Sequence, residues 1–155
     1  MFLSVVACFK DESHILEEWI KHFNHKTLIL NVKEEGLEER LLRIMNKNNI
    51  EDFFFLDQSF PFLRKTALNG ERRCAVRVSE YEDTSTALSM AGTIDWIWVD
   101  CFSYFPLSQD SAEQLQNAGF KLCFVSPELQ GRGKISEIMN FPHGRFDREV
   151  FDVLL

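Results

Sequence analysis

The sequence predicts an α/β fold made of repeated βα units, and three observations carry that prediction. Short apolar runs recur roughly every 20–30 residues, and the stretches between them place apolar residues at helical spacing. The runs are also apolar nearly throughout instead of alternating with polar residues. Strands of that kind need cover on both faces, which parallel sheets wrapped by crossover helices provide.

Taken in order, Phe2–Phe9 (FLSVVACF) is the first strand. Ser13–Phe23 follows as a helix, with Ile15, Leu16, Trp19, Ile20 and Phe23 on one face and Asp11 or Ser13 as cap. Thr27–Val32 is the second strand, and Gly36–Met45 sets Leu37, Leu41, Leu42, Ile44 and Met45 on a second helix. Phe53–Leu56 makes a third strand, and Pro61–Leu68 a short helix with proline in its first turn. Cys74–Val78 leads to a helix at Asp83–Met90, and Trp96–Val99 to one at Ser111–Ala118 with Gly119 closing it. Leu122–Val125 is the sixth strand, and Phe151–Leu155 begins a seventh.

Composition fits one domain spanning 1–155. The 155 residues are 45% hydrophobic and 26% charged, enough to bury a single core without a metal or disulfide staple. Seventeen basic against 24 acidic side chains give a net charge of −7, which disfavours nucleic acid and anionic membranes as partners. No apolar run approaches the ~20 residues of a membrane span. The apolar Met1–Phe9 lacks a basic region before it and runs into Lys10-Asp11-Glu12, so a secretory leader is not expected. Cys8, Cys74, Cys101 and Cys123 lie far apart within apolar runs, as buried thiols of a reducing compartment do. These features predict a cytoplasmic location.

Neither G-x-G-x-x-G nor G-x-x-x-x-G-K-[ST] occurs, which removes the usual dinucleotide and P-loop readings. Polar residues instead cluster where strands end: Asn31 and Lys33, Asp57, Arg77 with Ser79 and Glu80, Asp100, and Ser126 with Glu128. In parallel α/β folds those C-terminal ends surround the ligand site. Charged residues also mark where any buried strand surfaces into a loop. Their recurrence at five ends favours a barrel-like arrangement with Lys33 and Arg77 holding a phosphate. Glu80, Asp100 and Glu128 then serve as carboxylates for a metal, a hydroxyl or those cations.

The strings LILNVKEEGL (Leu28–Leu37), FFFLDQSFPFL (Phe53–Leu63), AVRVSEYE (Ala75–Glu82), WIWVDCF (Trp96–Phe102) and LCFVSPELQGR (Leu122–Arg132) together resemble bacterial relatives of the glycerophosphodiester phosphodiesterases. That group belongs to the phosphatidylinositol-phospholipase-C-like barrels. The resemblance spans residues 27–155 and implies an incomplete TIM-type (β/α) barrel of about six to seven parallel strands, lacking the first ones. It aligns Lys33 with the lysine that faces the phosphodiester, and Asn31 with a glutamate that binds Ca²⁺ or Mg²⁺ in many members. The family's two catalytic histidines lie in H-R and H-D pairs, and neither pair occurs here. His14, His22, His25 and His143 stand outside the strand ends and read as surface histidines.

Residues 1–24 differ. VVACFKDESHILEEWIKHF (Val5–Phe23) resembles the opening βα unit of GT-A type glycosyltransferases through Lys10, Asp11, Glu12, Leu16, Glu18 and Trp19, although no D-x-D follows. The same spacing also describes the core face of an amphipathic helix. The chain thus reads as one βα unit joined to most of a barrel, as expected of a shortened or rearranged gene, a fragment of a longer polypeptide, or a divergent small domain that closes its core with a substitute strand. Its apolar end at Val153-Leu154-Leu155 favours a cut chain.

Three functional expectations follow. The first is a phosphodiesterase-like barrel domain, impaired in catalysis by the missing histidine pairs. The second is a non-catalytic domain that binds a small phosphorylated ligand, and the third a glycosyltransferase-related protein. A full eight-unit barrel needs about 250 residues, so a partial one leaves open edge strands suited to pairing in a homo-oligomer.

Overall fold

A computed structural model describes residues 5–9, 13–24 and 27–125. Among the described residues, six strands alternate with five helices in strict βα order. These are β1 (Val5–Phe9), α1 (Ser13–Ile20), β2 (Leu28–Val32), α2 (Glu38–Lys47), β3 (Phe53–Leu56) and α3 (Phe60–Leu68), followed by β4 (Ala75–Val78), α4 (Thr84–Ser89), β5 (Trp96–Val99), α5 (Gln109–Asn117) and β6 (Lys121–Phe124). The predicted seventh strand at Phe151–Leu155 and the cap at Asp11 lie outside the described residues, as do Glu128, His25 and His143.

Every strand pair is parallel and joins sequence neighbours. One sheet runs β1-β2-β3 and the other β4-β5-β6. A parallel bridge between Phe55 and Cys74 links them, with the Phe55 N–H donating to the Arg73 carbonyl at 2.8 Å. The strands therefore progress in one direction across the molecule. No closure of β6 onto β1 is seen among the described residues, so the architecture stands as parallel α/β, short of a closed barrel.

The two faces of the strands pack differently. On one face Leu28, Leu30, Val32, Phe53, Phe55, Val76, Val78, Ile97, Val99, Leu122 and Phe124 meet the helices through Leu16, Ile20, Leu41, Ile44, Met45, Leu63, Ala87, Ala112 and Leu115. On the other, Ile29, Phe54, Leu56, Ala75, Trp96, Trp98, Cys123 and Val125 form a cluster with no helical member among the described residues. Right-handed crossovers between successive parallel neighbours put all helices on the same side. The opposite face is then covered by the strands' own side chains, which explains why both faces of β2, β3 and β5 are buried.

Local signals set the helix ends. Pro61 sits in the first turn of α3, the Asp83 carboxylate accepts from the Ser85 N–H to cap α4, and Ser108 caps α5 through the Ser111 N–H. Gly119 follows α5 at φ +93°, a left-handed conformation that glycine adopts without a Cβ clash. In α1, Leu16 and Ile20 are buried, and Trp19 packs on Phe23 with ring centroids 5.4 Å apart. Its other face is solvated, with Glu18 paired to Lys21 at 2.6 Å and Glu17 to Lys47 at 3.2 Å. Leu16 and Trp19 thus act as core residues, while Lys10, Asp11 and Glu12 of the glycosyltransferase-like string lie outside the described residues. Cys74, Cys101 and Cys123 are buried. None of the described helices is long and apolar enough to cross a membrane.

Candidate functional site

The polar strand ends meet at the C-terminal side of β2–β5. Because paired residues in parallel strands share a face, Asn31 at the end of β2 lies in register with Leu56, and Arg77 of β4 with Trp98. Asn31 and Arg77 therefore belong to the strand face opposite the helices, at the end where the strands give way to loops.

Asp57 joins these groups. It follows β3 directly with φ +61°, a left-handed conformation that Asp tolerates better than most residues. The turn brings its two carboxylate oxygens to different cations. Lys33 Nζ donates to Oδ2 at 2.5 Å, and Arg77 Nη2 donates to Oδ1. Arg77 Nε also faces Asp100 Oδ2 at 3.7 Å, so its guanidinium spans two carboxylates. Asp100 is 5% exposed and its Oδ1 accepts the Cys101 N–H at 3.0 Å. Burial by itself raises the Asp57 carboxyl. The Lys33 hydrogen bond, the charges of Arg77 and Lys33, and a hydrogen bond from Asn31 more than offset this and hold it below the usual carboxylate range.

A cleft of about 710 Å³ opens over this cluster. Lys33, Asp57, Gln58, Arg77 and Thr86 supply polar groups to its wall, Val32, Leu56 and Leu63 supply apolar ones, and Phe60 and Tyr81 stand at its rim. That volume lies within the range of small-molecule pockets. Lys33 and Arg77 are both partly exposed there.

The predicted site residues divide three ways. Lys33, Arg77 and Asp100 converge, joined by Asp57. Glu80 lies at the same end of the sheet but is engaged elsewhere. Its carboxylate accepts the backbone N–H groups of Phe102 at 3.1 Å, Tyr104 at 2.9 Å, and Ser103 between them. Burial by itself raises this carboxyl, but the backbone donors together more than offset that and lower it to about 2. Glu80 thus anchors the loop after β5 instead of pairing with Arg77. Glu128 lies outside the described residues. His22 is exposed just after α1 and does not line the cleft.

Asp57 was visible in the sequence only as one polar strand end among several. Its role as the shared partner of Lys33 and Arg77 depends on β2, β3 and β4 being adjacent and on its left-handed backbone. Among the described residues, no group of three or more His, Cys, Asp or Glu side chains is arranged to hold a metal ion. Asn31, aligned by resemblance with a metal-binding glutamate, hydrogen-bonds Asp57, while its Oδ1 is buried without a donor among the described residues.

Fold and site together define a parallel α/β domain with an ion-pair cluster of Lys33, Arg77, Asp57 and Asp100 at its C-terminal strand ends. No protein-family model, no curated protein and no solved structure matches the chain.

Proposed function

We propose that this chain is a cytoplasmic, phosphodiesterase-like barrel domain that binds a small phosphorylated ligand without the acid–base pair needed to cleave it. The observation that carries this reading is the convergence of Lys33 and Arg77 on Asp57 in an open cleft. A phosphate oxygen can replace a carboxylate oxygen on both cations, and the planar guanidinium suits bidentate contact. Sequential parallel strands with every described helix packed on one face support the barrel part of the reading. The buried cysteines suit a reducing compartment.

The missing H-R and H-D pairs support the binding half over the catalytic half. Acid–base assistance is typically worth 10²–10⁴-fold, and no histidine lines the cleft among the described residues. The test is titration calorimetry with inorganic phosphate beside a hydrolysis assay on bis-p-nitrophenyl phosphate with Ca²⁺ or Mg²⁺. Saturable phosphate binding lost in Arg77→Ala and Lys33→Ala, without turnover, is the expected result. Turnover that disappears in Lys33→Ala would overturn the non-catalytic assignment, and no phosphate binding would overturn the whole reading.

A further inference from the structure

Three aromatic side chains stand exposed: Tyr81, which lines the cleft, at 77%, Tyr104 at 60% and Phe102 at 38%. They sit on two separate loops, after β4 and after β5, and the Tyr81 and Phe102 rings meet with centroids 6.0 Å apart. Large exposed aromatics cost solubility and add little to a core, so their placement needs a reason.

Both loops are pinned by polar anchors. The Glu80 carboxylate takes the N–H groups of residues 102–104, which fixes the stretch carrying Phe102 and Tyr104. The Tyr81 turn is closed by a pair of backbone hydrogen bonds between Ser79 and Glu82, at 3.1 and 3.3 Å. The Ser79 hydroxyl adds two more, donating to Glu82 Oε2 at 2.6 Å and accepting the Tyr81 N–H at 3.2 Å. The fold thus holds an exposed aromatic surface in a set position, as preorganised binding sites do.

The surroundings narrow the occupant. Tyr81 lines the same cleft as Lys33 and Arg77, and Glu82, Asp83, Gln58 and Thr86 lie along that wall. Carboxylates there repel a second anionic group and accept hydrogen bonds from hydroxyls. Such a wall also suits an acyl chain poorly, because its polar groups would be buried without partners. A rigid ring with one apolar face and a hydroxylated edge matches an aromatic platform flanked by acceptors.

We infer that the ligand is a phosphorylated sugar, its phosphate on Lys33 and Arg77 and one ring face on Tyr81, against which Phe102 packs. This rests on the phosphate-binding reading above and adds the class of molecule that carries the phosphate.

The experiment compares glucose 1-phosphate, inorganic phosphate and adenosine monophosphate by calorimetry on the wild-type chain, Tyr81→Ala and Phe102→Ala. Both rings are exposed, so the variants should keep the wild-type thermal midpoint, and that is checked alongside. The sugar phosphate should bind more tightly than inorganic phosphate. Each substitution should weaken it about 3- to 10-fold, the range of aromatic contacts, while phosphate affinity stays unchanged. Equal affinities that neither substitution alters would overturn the sugar assignment and leave the phosphate site standing. Preference for adenosine monophosphate, lost in Tyr81→Ala, would overturn it in favour of a base-stacking site. If none of the three binds, the phosphate reading falls and the sugar assignment falls with it.

Discussion

Phe54 of β3 and Trp96 of β5 stack with ring centroids 4.5 Å apart and planes inclined by 21°, although β4 runs between their strands. The residue of β4 paired with Trp96 is Ala75, whose methyl group leaves room for the rings to meet. This contact lies on the strand face where no described helix packs. Trp96→Ala is expected to cost about 3–5 kcal/mol, as for other large aromatic truncations in cores. Ala75→Leu is expected to cost about 1–3 kcal/mol by overpacking. Urea melts of both variants check this, and a neutral Ala75→Leu would show that the rings do not depend on the small residue between them.

Replacing Asp57 should separate stability from binding. Asp57→Asn keeps a side chain that tolerates the left-handed backbone but removes the charge shared by Lys33 and Arg77. Stability should fall by about 1–3 kcal/mol, the range for hydrogen bonds to charged groups. Affinity for inorganic phosphate should rise, because the anion no longer competes with a carboxylate. Melting curves and calorimetry on the same preparation measure both, and a fall in phosphate affinity would count against Lys33 and Arg77 as the anion contacts.

Acid should release the loop held by Glu80. A carboxyl lowered to about 2 in the folded chain, against an ordinary value near 4.3, contributes stability that is present above the ordinary value and lost as pH falls toward 2. Because Asp57 is depressed as well, its contribution is lost in the same direction. Glu80→Gln should flatten the stability profile between about pH 4.3 and 2 while changing Asp57's share little. Denaturant unfolding across that window tests it, and an unchanged slope would mean that Glu80 does not anchor the loop in solution.

The buried thiols should be inert in the folded protein. Burial, reinforced by the charges of Glu71, Glu38 and Asp95, pushes the Cys74 thiol up to about 12, so almost no thiolate exists near neutral pH. Cys101 and Cys123 are buried too. Ellman's reagent should modify these three only after denaturation, read by mass spectrometry of labelled peptides. Rapid labelling of Cys74 in the native chain would contradict the packing described for β4.

Much of the fold was legible from pattern alone. The limits of β3 and β5 agree with the reading because Phe53–Leu56 and Trp96–Val99 are unbroken apolar runs bounded by polar residues. Helix ends moved by a few residues where side chains outside the apolar pattern took part. Examples are α2, which starts at Glu38 and runs to Lys47, and α5, which begins at Gln109 after its Ser108 cap. Pattern reading tracks burial, and end turns are exposed.

The site was legible only in part, since spacing marks where a strand surfaces but not which partner a charge will choose. The order of residues by itself determined the βα alternation, the parallel class and the polar strand ends, because periodicity and burial are properties of single segments. Only the tertiary structure decided that Arg77 bridges Asp57 and Asp100, that Glu80 turns to the loop at 102–104, and that Tyr81 meets Phe102. Each of those depends on two elements 20 or more residues apart reaching the same place, with distances of a few ångströms that no local pattern encodes.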